Sequence, residues 1–239
     1  MNLIKSKVIC LSILLGVFAT GLGQEIERYT FKDGDYNGIG KWYMGREIAY
    51  VMGYQGISWL ERPEREKEER TSLLIKNMNL KPTDIVADIG AGSGYHVFQI
   101  APIVNKGKVF AVDIQFEMLT AIKQKQKSRG INNVITIKGT ETSAKLPSNS
   151  IDKVLMVDVY HEFSFPYEVI MSIKDALKPN GKIYLIEYRM EDPRVPIKLL
   201  HKMSGSQAVK EMEAAGFALE SNIDNLPWQH CMIFVKSSP

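Results

Sequence analysis

Apolar runs alternate with amphipathic stretches along most of this chain, and the alternation predicts strands and helices in turn. Ile85 to Ile89 is a short continuous apolar run, the pattern of a buried strand. Val97, Phe98, Ile100 and Ala101 then recur at helical spacing, predicting a helix from about Ser93 to Val104. Lys108 to Val112 reads as a second strand, residues 116–127 as a helix, and Val134 to Ile137 as a third strand. Ser150 to Val157 predicts a fourth strand, Met171 to Leu177 lies on the next helix, and Ile183 to Glu187 is a fifth strand. A helix over about 206–215 is closed by Gly216, and residues 217–223 and 230–236 read as two final strands.

The first third of the chain is less regular. Asp33 to Gly40 is turn chemistry. Trp42, Tyr43, Met44, Tyr50, Met52, Tyr54 and Trp59 then crowd together, and Arg46 and Glu47 begin a short helical stretch to about Met52. Two readings fit this segment: an extension packed over a sheet edge, or a lid over a site. The mixed-charge run Glu61 to Arg70 leads into Leu73, Leu74, Ile75 and Met78, predicting one helix over 64–78 with a solvated face.

Residues 1–23 have the form of a signal peptide: Lys5 and Lys7, then an apolar stretch from Val8 to Phe18, then small residues. Export to the periplasm or beyond is expected, with an uncleaved membrane anchor as the alternative. The chain divides into this segment, an extension over 24–69, and a main domain over 70–239.

Length and composition add bounds. A chain of 239 residues accommodates one α/β domain with a modest extension. The net charge of +3 falls to about +1 without the leader, where 28 basic residues face 27 acidic ones. No basic footprint for nucleic acid remains. Of two cysteines, Cys10 lies in the leader and Cys231 in an apolar run, so no intramolecular disulfide is expected. No Cys/His cluster has zinc-ligand spacing, and no metal site is expected. Nothing in the sequence fixes an oligomeric state.

The candidate chemistry gathers around the first predicted strand. Val86 to His96 reads Val-Ala-Asp-Ile-Gly-Ala-Gly-Ser-Gly-Tyr-His, with glycines at 90, 92 and 94 and an acid, Asp88, two residues before the first. Strand, glycine turn and helix start form a cradle for a nucleotide cofactor, with helix-start amides as added donors. Asp113, 25 residues after Asp88, closes the second strand, where an acid can accept both hydroxyls of a ribose. The fourth strand ends in Asp158-Val-Tyr-His-Glu-Phe163, a polar burst at a strand's carboxyl end, where ligands sit in open α/β sheets.

These motifs, with Ser150-Ile-Asp-Lys-Val154 and the Leu177-Lys-Pro-Asn-Gly181 turn, resemble class I S-adenosylmethionine (SAM) methyltransferases over about residues 70–236. The resemblance implies a Rossmann-like α/β sandwich with a seven-stranded, mostly parallel sheet and an antiparallel last strand. It also implies SAM as cofactor. Asp88, Gly90, Ala91, Gly92, Gly94 and Tyr95 would lie at its methionine end and Asp113 at its ribose, with Ile114 beside Asp113. Related enzymes contact adenine through a Gly-Asp-Ala loop. Here Thr140 stands in place of the aspartate, leaving Thr140 or Glu141 to act.

Asp158, also a candidate cofactor contact, Tyr160, His161 and Glu162 are the candidates for acceptor chemistry. His161 is the first candidate base, because an imidazole titrates near neutrality, and His201 is the second. The expected acceptor is a small molecule, including lipid-like or quinone-like ones near a membrane. Rival readings are a SAM-binding protein without catalysis, a nicotinamide-dependent oxidoreductase, for which the third glycine comes one residue early, and an aminopropyl transferase.

Overall fold

The computed structural model describes residues 27–237, so the leader reading lies outside the described residues. The chain opens with a small antiparallel sheet of β1 (Tyr29–Phe31), β2 (Gly38–Tyr43) and β3 (Arg46–Ala49). The expected short helix from Arg46 is therefore a strand. Tyr43 pairs with Arg46 across a two-residue turn, Met44 and Gly45, both at positive φ (51° and 97°). Two left-handed residues in succession match the twist of a hairpin and redirect the chain where its local pattern reads helical.

Short helices follow: α1 (Ile57–Leu60), α2 (Arg65–Glu69) and α3 (Thr71–Asn77). The single helix expected over 64–78 is broken at Arg70, whose φ is 52°. The Glu66 carboxylate takes over at the break, accepting hydrogen bonds from the Thr71 hydroxyl (2.7 Å) and the Ser72 amide (3.0 Å). The kink turns Arg65 and Glu69 inward, where both are buried.

The main domain alternates as the hydrophobic pattern requires. β4 (Ile85–Ile89), α4 (Val97–Ile100), β5 (Lys108–Asp113), α5 (Phe116–Arg129), β6 (Val134–Lys138) and β7 (Ile151–Val157) lead to α6 (Pro166–Ala176) and β8 (Leu177–Tyr188). α7 (Gly205–Ala214), β9 (Phe217–Asn222) and β10 (Gln229–Lys236) close the chain. The seven strands are ordered β6-β5-β4-β7-β8-β10-β9, parallel except that β10 runs against both its neighbours. α4 is shorter than expected, with turns continuing through Val104. The sheet is buried on both faces. Ala87, Val154 and Leu185 pack toward α6 and α7, while their neighbours Val86, Leu155 and Ile186 join Leu74, Ile100 and Ile122 on the other side. Burial on both faces explains the unbroken apolar runs.

A buried ion pair docks the small sheet onto the main domain. Arg46 donates two parallel hydrogen bonds to Glu211 of α7 (2.9 and 3.0 Å) and a third to the carbonyl of His161 (3.0 Å). The same guanidinium thus fixes the turn that carries the candidate catalytic residues. α7 is itself capped by Ser204, whose hydroxyl accepts from the Gln207 amide at 3.1 Å. Ser204→Ala should lower stability by about 1 kcal/mol, read from chemical denaturation. An unchanged midpoint would show that the cap contributes nothing.

Candidate active site

Two clefts meet at the carboxyl ends of the parallel strands. The first, about 840 Å³ of empty space, lies between the ends of β4, β5 and β7 and is lined by Gly90, Gly92, Asp113, Ile114, Thr140, Glu141 and Asp158. Met52 and Leu60, from the segment after the small sheet, line its other wall. Gly90 has φ 68°, and a side chain there would collide with Val159. The chain needs glycine at this point for both conformation and space.

The loop amides are largely committed to protein acceptors, two of them on β5. Gly92 donates to Asp113 Oδ2 (2.9 Å), Ala91 to the Val112 carbonyl (2.9 Å), and Gly94 to the Ala91 carbonyl (2.8 Å). Of the helix-start amides expected as free donors, that of Gly94 is taken in this way. Asp113 also accepts from the Gln115 amide (2.8 Å), and burial pushes its carboxyl above the usual range. Each of its oxygens keeps a further lone pair for a ligand. Gln115 in turn donates to the Met52 carbonyl (2.9 Å), tying the cleft's two walls together.

Asp88, Ala91 and Tyr95 lie behind this cleft, around a small pocket shared with Arg65 and His96. The Arg65 guanidinium stacks 4.5 Å from the centre of the Tyr95 ring. Gly94 opens away from the main cleft, beside Tyr95 and Phe98. His96 is buried with an unpaired Nε2, and burial keeps it neutral.

Burial lifts Asp88 to about 7, with Asp113 adding to the rise and Arg65 opposing it. An unfolded aspartate titrates near ~3.9. The folded chain therefore holds a proton that the unfolded chain has released, and stability falls as pH rises from about 4 to about 7. Asp88→Asn removes that slope. It should be the more stable chain above pH 7 by about 3–4 kcal/mol, in urea melts run at pH 5 and pH 8. A wild type as stable at pH 8 as the variant would contradict this.

The second cleft is wider, about 1990 Å³ including its mouth, and opens directly beside the first. Asp158 and Glu162 line both. Tyr50 and Trp59 stand at its walls, each about half exposed, and Arg62, Arg65 and Tyr188 supply polar groups. Asp158, at φ 49°, accepts from Gln229 (2.6 Å) through one oxygen, while the other is buried without a partner among the described residues. Burial, then Glu69 and Glu187, drive its carboxyl well above the usual range.

The floor of this cleft brings together residues far apart in sequence. His161 and Glu162 lie on a 3-10 turn, Tyr160–Glu162, and His201 on another, Leu199–His201. His161 Nδ1 sits 2.6 Å from Glu187 Oε2, and its Nε2 sits 3.1 Å from His201 Nδ1. Burial pulls His161 down, but Glu187 outweighs it and holds the imidazole above its usual value. His201 is lowered to about 4 by burial and by His161, and burial lifts Glu162 to about 7. Tyr160, in contrast, is fully buried beneath Arg46, 5.7 Å from the guanidinium, and lines neither cleft.

The expectation of no metal site rested on sequence spacing. The fold instead places His161, Glu162 and His201 with one potential ligand atom each in a single cluster. Three other site residues were also not legible in the sequence. Arg65 and Glu69 sat inside a charge run read as a solvated face. Glu187 ends the apolar run of β8, and that acid at a strand's carboxyl end was the available signal. Cys231 is a buried free thiol, as read from its apolar run, and burial raises it to about 11.

The fold and the glycine-lined first cleft define a Rossmann-like nucleotide-cofactor protein with a second cleft adjoining the first. A family model described as a methyltransferase domain matches residues 80–230. The uncharacterized methyltransferase YcgJ of Bacillus subtilis (strain 168) is 26% identical over 164 residues, 67% of this chain and 64% of that protein. The ubiquinone/menaquinone biosynthesis C-methyltransferase UbiE of Blochmanniella pennsylvanica is 31% identical over 121 residues, 50% of this chain and 46% of its own. The chain thus spans about two thirds of one relative and under half of the other. A crystal structure of a SAM-dependent methyltransferase from Aquifex aeolicus superposes with a TM-score of 0.73 at 25% identity, covering 77% of this chain and 98% of that one. This chain belongs to the methyltransferase-domain family, and SAM is the cofactor of that class. The cleft fits it: glycines where a side chain would block the cradle, a buried acid at the end of β5, and an unpartnered carboxylate oxygen on Asp158.

Proposed function

We propose that this protein transfers the methyl group of SAM to a small acceptor held in the second cleft. The observation that carries the reading is the junction of the clefts, where Asp158 and Glu162 belong to both. The cofactor, when bound, supplies an electrophilic methyl on a sulfonium. The chain's task is then to align the acceptor, exclude water and handle any proton it loses. Asp113 would hold the ribose hydroxyls, Thr140 and Glu141 the base edge, and Asp88 with Arg65 the amino-acid end. Met52 and Leu60 cover the first cleft, consistent with the segment over 50–60 acting as a lid.

Tyr50 and Trp59 offer flat faces, which suit an aromatic or quinone-like acceptor. The UbiE relatives, named for quinone biosynthesis, favour the same class. The polar floor of His161, Glu162 and His201 is what the acceptor's reacting end would meet. Export by residues 1–23 is part of this proposal, checked by cell fractionation.

Calorimetric titration of the purified chain with SAM, S-adenosylhomocysteine (SAH) and NADH tests the cofactor. One-to-one binding of both sulfur nucleosides and none of NADH is expected. Release of SAH in a screen of phenolic and quinol acceptors then tests catalysis. A folded chain that binds no SAH would overturn the proposal, while binding with no turnover on any acceptor would favour a SAM-binding protein without catalysis.

A further inference from the structure

We propose that His161 Nε2, a Glu162 carboxylate oxygen and His201 Nδ1 form a binding site for one divalent first-row transition-metal ion. The three atoms make a compact triangle. The two nitrogens are 3.1 Å apart, and Glu162 Oε1 lies 3.8 Å from His161 Nε2 and 3.7 Å from His201 Nδ1. Ligands around a tetrahedral ion at ~2.1 Å stand roughly 3.4 Å apart. The triangle brackets that value before any adjustment. At 3.7–3.8 Å the carboxylate is too distant to hydrogen-bond either imidazole, yet it is well placed to share an ion with both.

The surroundings match a ligand set as well. His161 Nδ1 is bonded to the buried Glu187 carboxylate, which also accepts from the Tyr160 amide (2.8 Å). A carboxylate behind a histidine fixes the tautomer, so that Nε2 presents its lone pair, and raises its basicity as a ligand. The two imidazole rings stand at 89° to one another, so two nitrogens can converge on one point without stacking. Arg46 holds the backbone of His161 through the carbonyl contact and anchors the turn to α7. His161 is buried, Glu162 nearly so, and His201 keeps about a quarter of its side chain exposed, leaving an entry path from the cleft.

Two imidazoles and one carboxylate favour ions such as zinc, cobalt, iron or manganese over magnesium or calcium, which prefer oxygen-rich sites. Three protein ligands leave further positions open, and His161, Glu162 and His201 all line the second cleft. Together with the methyl-transfer reading, on which this last step rests, an oxygen of the acceptor would complete the ion's shell. Such an acceptor carries a hydroxyl that the ion can acidify, of the phenol or enol class.

Cobalt(II) is the probe, because its visible spectrum reports coordination directly. The untagged chain, stripped with a chelator, would be titrated with cobalt chloride by absorption and calorimetry, with magnesium chloride for comparison. One cobalt per chain is expected, with magnesium binding at least ~100-fold weaker. His201→Ala and Glu162→Gln should each weaken cobalt binding by ~100-fold or more. His230→Ala, which removes a histidine paired instead with Glu191 (3.0 Å), should leave it unchanged. His201 lies in a partly exposed turn, so its variant tests the site even if one at His161 fails to fold. No saturable cobalt binding by the folded wild type, or equal binding by His201→Ala, overturns the proposal. SAH titration of the same stripped wild type keeps the two readings separate. Cobalt without SAH sinks only the methyl-transfer reading, and SAH without cobalt sinks only the metal site.

Discussion

Replacing Asp113 by alanine should weaken SAH binding at least ~100-fold, equivalent to about 3 kcal/mol. The magnitude follows from what the carboxylate can do at the end of β5. It is almost wholly buried and lines the first cleft, and its two oxygens already accept from the Gly92 and Gln115 amides. Those amides fix its position, so a ribose diol meets a carboxylate that loses little freedom on binding. Charge-assisted hydrogen bonds to two hydroxyls are each worth ~1.5–3 kcal/mol. Alanine also strands the two amides, so some loss of stability is expected alongside the loss of affinity. Asp113→Asn separates the effects, because it can still accept from one amide. It should fold as the wild type and still bind SAH at least ~10-fold more weakly. Calorimetry with a thermal melt of each variant reads both quantities. Near-wild-type affinity in a folded Asp113→Ala chain would remove Asp113 from the cofactor site.

Replacing Glu187 by alanine should cost about 3–5 kcal/mol of stability, and about 10 °C in melting temperature for a chain of this size. Glu187 is fully buried and serves three donors: the Tyr160 amide (2.8 Å), the His161 amide (3.4 Å) and the His161 ring (2.6 Å). Its removal leaves the His161 Nδ1 and two amides without their partner in the domain interior. Buried donors left unmade cost more than their bonds contributed. Glu187→Gln keeps an acceptor for the Tyr160 amide and should lose less than half as much. Equilibrium denaturation in urea measures both. A loss under about 1 kcal/mol in Glu187→Ala would mean that water replaces the carboxylate, and the turn bearing His161 and Glu162 would then be less rigid than its contacts indicate.

Much of the fold was legible in the sequence because the relevant signals are local. The apolar runs of β4, β5 and β7 mark strands buried on both faces, and the acids and glycines at their ends mark where a ligand meets the sheet. The seven-stranded arrangement is what the resemblance carried by the ordered motifs implies, and the sheet has it. Asp113, Gly90, Gly92, Thr140, Glu141 and Asp158 all line the first cleft. Local reading failed where tertiary packing overruled propensity. Arg46 to Ala49 became a strand because a hairpin turn of two left-handed residues paired it with β2. Arg65 and Glu69 were drawn inside because the left-handed Arg70 broke their helix and Tyr188, on β8, offered Glu69 a hydroxyl at 2.9 Å. Tyr160 went the other way, from a candidate in the acceptor site to a core side chain, because the 3-10 turn points its ring under Arg46.

The sequence by itself determined the architecture and the cofactor end of the site, since strand periodicity and glycine loops depend on residues close in the chain. Only the tertiary structure decided the floor of the second cleft. His161, Glu187 and His201 are separated by 26 and 14 residues, and no spacing rule links them; the packing of two short turns against each other and against β3, and of the first turn against β8, brings their side chains within bonding distance.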